Sequence, residues 1–485
     1  MVKYKEHNEE VCNLRTLQIA EQKEFGMKKR EQYKGLIRFW AAAILVLLQT
    51  GSFAYVWFAW YGDLGILFAM RGNLVMIGLH ALMMSAFMKV NGNVKLGQVR
   101  IRKMLSSQFI AIGCVNLITY LQVCLIGRWS FMKNISPMLY LTVVDCAAAF
   151  VWILIANLIY RKLYPPKQML IVYGGNRPER LISKLKLRKD KYTVCETISV
   201  ESGWDAVVEK MNQYNTVLIS DVVAPMRDEI MKYCFNESII CYIMPDISDI
   251  MMMGAEKIQI SDTTMLMLRN QGLSAGQRCI KRIFDIVVGV VAMIVTTPVM
   301  IVIAIAIKSY DGGPVFFKQS RLTRDGKVFE IIKFRSMRVQ TEDDKNCITR
   351  KNDDRITPVG HIIRKLHLDE LPQIINIIKG EMSFVGPRPE WTATTEQYAQ
   401  NLPEFLLRLK VKAGLTGYAQ IYGKYSSTPY DKLLLDLTYI EKYSFLLDLK
   451  LMFLTLKVLL GDENAEGVEA WQTSAEVDEA PDNHE

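Results

Sequence analysis

In 485 residues the chain has no C-x-x-C pair, and it has only five histidines, none in an H-E-x-x-H frame. The first absence removes the usual zinc and redox motifs, and the second makes histidine-metal chemistry unsupported. The nine cysteines (Cys12, Cys114, Cys124, Cys146, Cys195, Cys234, Cys241, Cys279 and Cys347) are odd in number, so no disulfide framework is indicated. A glycine turn, Gly174-Gly175-Asn176-Arg177, lacks the third glycine of the dinucleotide fingerprint and reads as a tight strand-to-helix turn rather than a cofactor site. Residues 461–485 lack Lys and Arg altogether but hold nine acids; the segment 462–485 reads as a disordered, solvating tail.

What the chain does have is apolar length. Half of its residues are hydrophobic, and four long runs lie at roughly 36–61, 66–88, 105–127 and 137–160, separated by short connections. Runs of about 20 apolar residues are what a bilayer requires, so 36–160 is expected to form an α-helical transmembrane bundle of four spans. The first run is expected to be a retained anchor, because the polar tail 1–35 precedes it and no small-residue cleavage site follows. Eight Lys and Arg precede that run and five (Lys89, Lys95, Arg100, Arg102, Lys103) follow the second, against Arg71, Arg128 and Lys133 on the other side. This bias places both ends of the bundle in the cytoplasm. Asp145, an acid inside the fourth run, is expected to pair with Arg128 or Lys133. Without its acidic tail the chain carries +18. That charge suits anionic membrane lipids or phosphorylated substrates, and the spans favour lipid over nucleic acid.

After Pro165 and Pro166, short apolar runs alternate with charged helical stretches, which predicts a Rossmann-like α/β domain with a parallel sheet over 165–268. A polar, glycine-containing linker, 269–277, follows. Residues 283–307 then carry a single charge, Asp285. As a straight helix they would reach about 37 Å, enough to cross a membrane. Basic residues flank both sides: Arg278, Lys281 and Arg282 before, and Lys308, Lys318, Arg321, Arg324 and Lys327 after. A crossing would put one cluster on the disfavoured face, whereas a bend at Thr297-Pro298 allows a re-entrant helix hairpin. The competing reading is a fifth span kinked by proline.

The stretch "GPVFFKQSRLTRDGKVFEIIKFRSM" reads as two strands around a turn at Arg324-Asp325-Gly326, ending in Lys333, Arg335 and Arg338. Lys333 and Arg335 are candidate phosphate ligands, and Arg338 reads as solvated charge. Further on, "HLDELPQIIN" sets Asp369 beside Glu370, with Pro372 and Gly380 punctuating a helix. Capping accounts for one acid, but the pair is flanked by Arg364, Lys365 and, on a stiff "GPRP" turn, Arg388. Phosphoryl transfer suits such a constellation, with a carboxylate as nucleophile and with arginines and Mg²⁺ neutralising phosphate charge. From spacing alone, helix capping remains the first reading.

Residues 278–461 resemble the catalytic domain of the bacterial polyprenyl-phosphate glycosyl-1-phosphate transferases, through "KRIFDIVVGVVAMIVTTPVMIV", the strand pair above, "LDELPQIINIIKGEMSFVGPRP" and "AGLTGYAQIYGK". The four spans and the Rossmann-like domain resemble the family's long form. The resemblance implies a mixed α/β monotopic catalytic domain with the re-entrant hairpin. It also implies a cytoplasmic active site at the bacterial inner membrane, and a UDP-sugar and undecaprenyl phosphate as substrates. It further implies Asp369 as the nucleophile on the β-phosphate of the UDP-sugar and Glu370 as its assistant. Lys333, Arg364 and Arg388, with Arg335 a further candidate, become phosphate-binding residues, and Asp369 with Glu370 becomes the Mg²⁺ ligand pair. A homodimer fits such architectures. Ala413, Tyr418 and His367 depart from the family's usual residues and bear on the sugar and headgroup pocket. The helix at 445–460, whose apolar residues are interrupted by Asp448, Lys450 and Lys457, either lies in the interface or packs on the catalytic core. The contrasting reading of the whole chain is a non-catalytic membrane scaffold or regulator.

Overall fold

The computed structural model describes residues 33–91, 96–97, 99–128, 135–175, 178–186, 188–268, 272–338, 355–423 and 428–459. The tails expected at 1–35 and 462–485 fall almost wholly outside these residues, as do Asn176 and Arg177 of the glycine turn and the start of the linker. Contacts divide the chain into two units, Met1–Met244 and Pro245–Glu485.

The first unit begins with four long helices, α1 (Lys34–Trp60), α2 (Gly62–Asn91), α3 (Ile101–Ile126) and α4 (Ser136–Leu163). Each packs on its chain neighbour and α1 closes onto α4, the arrangement that short connections impose on antiparallel helices. Leu47, Leu74, Leu82, Leu117, Val143 and Leu158 face outward, while Gln49, His80, Gln108, Asn116 and Asp145 are buried. That inversion of the soluble pattern is what a lipid surround selects. Each of the four contains an apolar stretch long enough to cross a membrane.

Asp145 does not pair with Arg128. It accepts hydrogen bonds from the Ser52 hydroxyl and, at 3.4 Å, from Asn116 Nδ2. The reason is axial: Asp145 lies about 13 Å along α4 from its start, whereas Arg128 sits past the far end of α3. Lys133 lies outside the described residues.

The α/β part follows as β1 (Lys167–Tyr173), α5 (Glu179–Lys186), β2 (Tyr192–Ser199), α6 (Trp204–Met211), β3 (Thr216–Ser220), α7 (Ala224–Asn236) and β4 (Ile240–Ile243). All neighbours in the sheet order β2-β1-β3-β4 are parallel, and β3 is buried along its whole length, as a strand covered on both faces must be. A Cβ on Gly174 would sit 2.2 Å from the Asp221 carbonyl oxygen, so the glycine serves the close approach of the β1 and β3 ends, in keeping with a tight turn. The Rossmann-like domain was expected to run to 268, but its last strand ends at Ile243. The next helix, α8 (Ile247–Met252), packs in the second unit, with Ile250 in that unit's core.

The second unit continues with an antiparallel hairpin, β5 (Glu256–Ile260) and β6 (Thr263–Met267), and then a single 37-residue helix, α9 (Ala275–Asp311). The expected hairpin of two half-helices is thus one element with Pro298 inside it. Proline cannot donate to the carbonyl of residue 294. The hydroxyls of Thr296 and Thr297 bond back to the Ala292 and Met293 carbonyls at 2.8 and 2.6 Å, just before that gap, a pattern that favours a bend. A Ser274 and Gln277 capping box starts the helix and Gly312, at φ +70°, ends it.

The antiparallel pair β7 (Phe316–Leu322) and β8 (Val328–Phe334) turns at Arg324–Gly326, as the sequence predicts, with Asp325 at φ +61°. Then come α10 (Pro358–Lys365), a 3₁₀ turn (Leu368–Glu370), α11 (Gln373–Lys379), β9 (Ser383–Val385), α12 (Thr392–Asn401) and a 3₁₀ segment (Pro403–Lys410). The unit closes with β10 (Gly414–Thr416), parallel to β9, and α13 (Tyr418–Tyr422), α14 (Pro429–Glu441) and α15 (Phe445–Leu459). One core joins Ile331, Ile377, Met382, Val385, Phe405, Leu437 and Leu451. The C-terminal helix contributes Leu451 to that core and buries Asp448 against Lys281 of α9, which is the packing alternative.

Candidate active site

The two acids lie on the 3₁₀ turn between α10 and α11, entered through His367 at φ +53°. A non-glycine residue in the left-handed region is uncommon and has to be held there by its surroundings. Neither acid caps α11 through a side-chain hydrogen bond, because Pro372 occupies the cap position. The capping explanation therefore does not hold here, and the acids have other partners. Lys333 Nζ, from β8, lies 2.9 Å from Glu370 Oε1, and Arg388 approaches the same oxygen at 3.5 Å. The Asp369 carboxylate has no hydrogen bond or ion pair among the described residues.

The pair is split electrostatically. Burial pushes the Asp369 carboxyl above the ordinary aspartate range, and the Glu370 charge adds to this, with Lys333 and Arg364 opposing. Burial acts in the same direction on Glu370, but Lys333 and Arg388 outweigh it and hold that carboxyl down to about 2. Adjacent acids with divergent affinities for protons are a mark of divided labour. Glu370 is a fixed negative charge held by cations, and Asp369 is a more basic carboxylate with no partner among the described residues.

The other candidates fall in different places. Arg364, on the last turn of α10, contributes its charge to Asp369. Arg335 was expected at a phosphate, but it is buried and grips Asp311 at the end of α9 with both terminal nitrogens, one of them at 2.8 Å. Both terminal nitrogens are thus engaged in closing the end of β8 onto the helix. Thr297 and Pro298 lie in the middle of α9. No group of three or more His, Cys, Asp or Glu gathers among the described residues. At this site a hard cation would draw on Asp369 and Glu370, a donor set that fits magnesium, since it commonly takes one or two carboxylates and completes its shell with substrate phosphates and water.

Sequence reading missed a second tier. Arg408 is buried, pairs with Asp436 at 2.7 Å and donates to the Arg388 carbonyl at 2.9 Å. Arg321 donates to the Pro389 carbonyl at 3.1 Å. These bonds fix the "GPRP" turn from two sides. The sequence separations, 20 residues for Arg408 to Arg388 and 68 for Arg321 to Pro389, carry no periodic signal. Gln373 was missed as well; its only clue was its place three residues after Glu370.

An uncommitted carboxylate beside a committed one, ringed by Lys333, Arg364 and Arg388 and carried next to an apolar helix, is equipment for phosphoryl transfer at a membrane surface. Residues 276–462 match the family model described as bacterial sugar transferase. A UDP-glucose:undecaprenyl-phosphate glucose-1-phosphate transferase of Klebsiella pneumoniae is 37% identical over 52% of this chain and 54% of its own. One of the same description from Caulobacter vibrioides is 36% identical over 38% of this chain and 71% of its own. A UDP-N-acetylgalactosamine-undecaprenyl-phosphate N-acetylgalactosaminephosphotransferase of Aeromonas hydrophila is 38% identical over 37% of this chain and 44% of its own. The match spans about half the length of the first curated relatives. The chain belongs to the bacterial sugar transferase family.

Proposed function

We propose that this membrane protein transfers a hexose-1-phosphate from a UDP-sugar to undecaprenyl phosphate, giving an undecaprenyl diphosphate sugar and UMP. The observation that carries the reading is the split acid pair, with Glu370 held by Lys333 and Arg388 while Asp369 has no partner among the described residues. An Asp369 oxygen attacks the β-phosphorus of the donor as the bond to the UMP oxygen breaks, leaving a phosphosugar on the aspartate. An oxygen of undecaprenyl phosphate then attacks that phosphorus, forms the diphosphate and frees Asp369. Lys333, Arg364 and Arg388 attract the donor phosphates, and Glu370 keeps Lys333 and Arg388 in register. Asp369 and Glu370 would hold a Mg²⁺ ion, which when bound offsets the charge gathering on the departing UMP. Glucose and galactose are the favoured sugars, with N-acetylated hexosamines next. The reaction fits the first membrane step of exopolysaccharide, capsule or O-antigen synthesis.

One structural argument supports a cytoplasmic active site. Ile250 and Leu273, which precede α9, share a core with Leu433 and Ile440, which follow it. A crossing helix would put a bilayer between them. Both ends of α9 therefore belong on one membrane face, with Ile283, Val287, Ile294, Val295 and Val302 turned outward to lipid. The Lys and Arg bias of the bundle favours the cytoplasmic face. The test is UMP release from membranes given Mg²⁺, undecaprenyl phosphate and a panel of UDP-sugars. Release by wild type and none by Asp369→Asn is the expected result; full release by the variant would reject Asp369 as nucleophile, and none by wild type would return the chain to the scaffold reading.

A further inference from the structure

The cleft beside the acid pair is lined by Arg321, Lys333, Glu370, Gln373 and Arg388, three cations against one carboxylate. Two buried donors in it are unused. Gln373 is 2% exposed, yet its Nε2 meets no acceptor among the described residues. Arg321 Nε meets none either, although the other two guanidinium nitrogens hold the Pro389 carbonyl and Gln319 Oε1. Buried donors without acceptors are rare because each forfeits its hydration, and two in one cleft leave it short of acceptor oxygens. The next amide on α11 makes the contrast. Asn376 Oδ1 accepts from the Ile332 amide at 3.1 Å, and its Nδ2 donates to the Glu330 carbonyl at 2.7 Å and to Glu381. Asn376 is thus consumed in fastening α11 to β8, and Gln373 Nε2, three residues earlier, is not.

We propose that Gln373 contacts the substrate, its Nε2 donating to an oxygen of the diphosphate that Lys333 and Arg388 attract. The proposal rests on the sugar-nucleotide reading above. A diphosphate is the fitting acceptor because its oxygens accept without donating and its charge answers the cleft's cationic excess. The amide adds a donor that no change of pH removes and that brings no further charge to a site already crowded with it.

The test uses the full chain purified in detergent, with undecaprenyl phosphate and whichever UDP-sugar supports UMP release. Gln373→Met keeps the length and removes the donor; Gln373→Glu keeps the shape and sets a carboxylate against the phosphates. The expected result is a fall in kcat/KM for the UDP-sugar of roughly 10- to 100-fold in the first, as for loss of a hydrogen bond to a charged group, and a larger fall in the second. The KM for undecaprenyl phosphate and the Tm stay at wild-type values. Wild-type kinetics in Gln373→Met, or losses that track a lowered Tm in both variants, would overturn the proposal. If wild type releases no UMP from any donor, the transferase reading fails first. Calorimetric binding of inorganic pyrophosphate then decides the Gln373 contact separately: weaker binding by Gln373→Met supports it, and equal binding overturns it.

Discussion

At the scale of single residues, the site depends on which charges are already satisfied. Lys333 and Glu370 are each about four-fifths shielded and lie 2.9 Å apart, so Lys333→Met should release Glu370 and leave its charge close to the nucleophile. UMP release is expected to drop by about 10- to 100-fold, the cost of one charge-assisted hydrogen bond, with little change in Tm. Arg335 gives the opposite outcome. Because it is engaged by Asp311, Arg335→Met should leave the KM for the UDP-sugar unchanged and lower thermal stability. The loss should fall below the ~3–5 kcal/mol of a fully buried pair, since Asp311 is partly exposed. Steady-state kinetics and a melting curve on one preparation separate the two. Asp369, Glu370, Lys333 and Arg388 are candidates in the sequence because they stand in the short motifs that carry the family resemblance. Sequence reading assigned Arg335 to phosphate because a side chain's partner 24 residues away leaves no local trace.

At the scale of elements, glycines set how closely segments meet around the site. A Cβ on Gly414 would lie 2.1 Å from the Gly386 nitrogen, and one on Gly417 would lie 2.1 Å from the Gly386 carbonyl oxygen. The strands β9 and β10 thus join backbone to backbone just before the turn that carries Arg388, and no side chain fits between them. Gly414→Ala should force that turn outward. The expected signs are lost UMP release and faster amide exchange at residues 383–386, while exchange in α14 is unchanged. Gly289 of α9 is a milder case, because its Cβ would meet side chains rather than backbone, Ile378 at 3.1 Å and Phe384 at 3.9 Å. Gly289→Ala should therefore cost little and Gly289→Val more, as read from melting temperatures. The long apolar run located α9 in the sequence, whereas the three-residue strands β9 and β10 are too short to leave a period. The run did not carry α9 through Pro298, because a proline read alone is a helix breaker and only the folded chain shows the helix continuing past it.

At the scale of the molecule, the second unit holds every candidate site residue and a complete core of its own. A chain starting at residue 245 should associate with membranes through α9 and still release UMP. A sedimentation assay and the UDP-sugar panel check it, and a soluble, inert fragment would tie activity to the first unit. Labelling of cysteines placed before Ala275 and after Asp311 should find both on one membrane face; opposite faces would require α9 to cross. The sequence by itself determined the apolar runs, the α/β alternation and the family likeness, and it set the acid pair forward as a candidate, because these are written in composition, period and adjacent residues. Only the tertiary structure decided that Glu370 is bound while Asp369 has no partner among the described residues, that Arg335 and Asp145 have partners near at hand in space, and that the segments before and after α9 share one core. Pairings of this kind depend on packing between residues far apart along the chain, which no local pattern encodes.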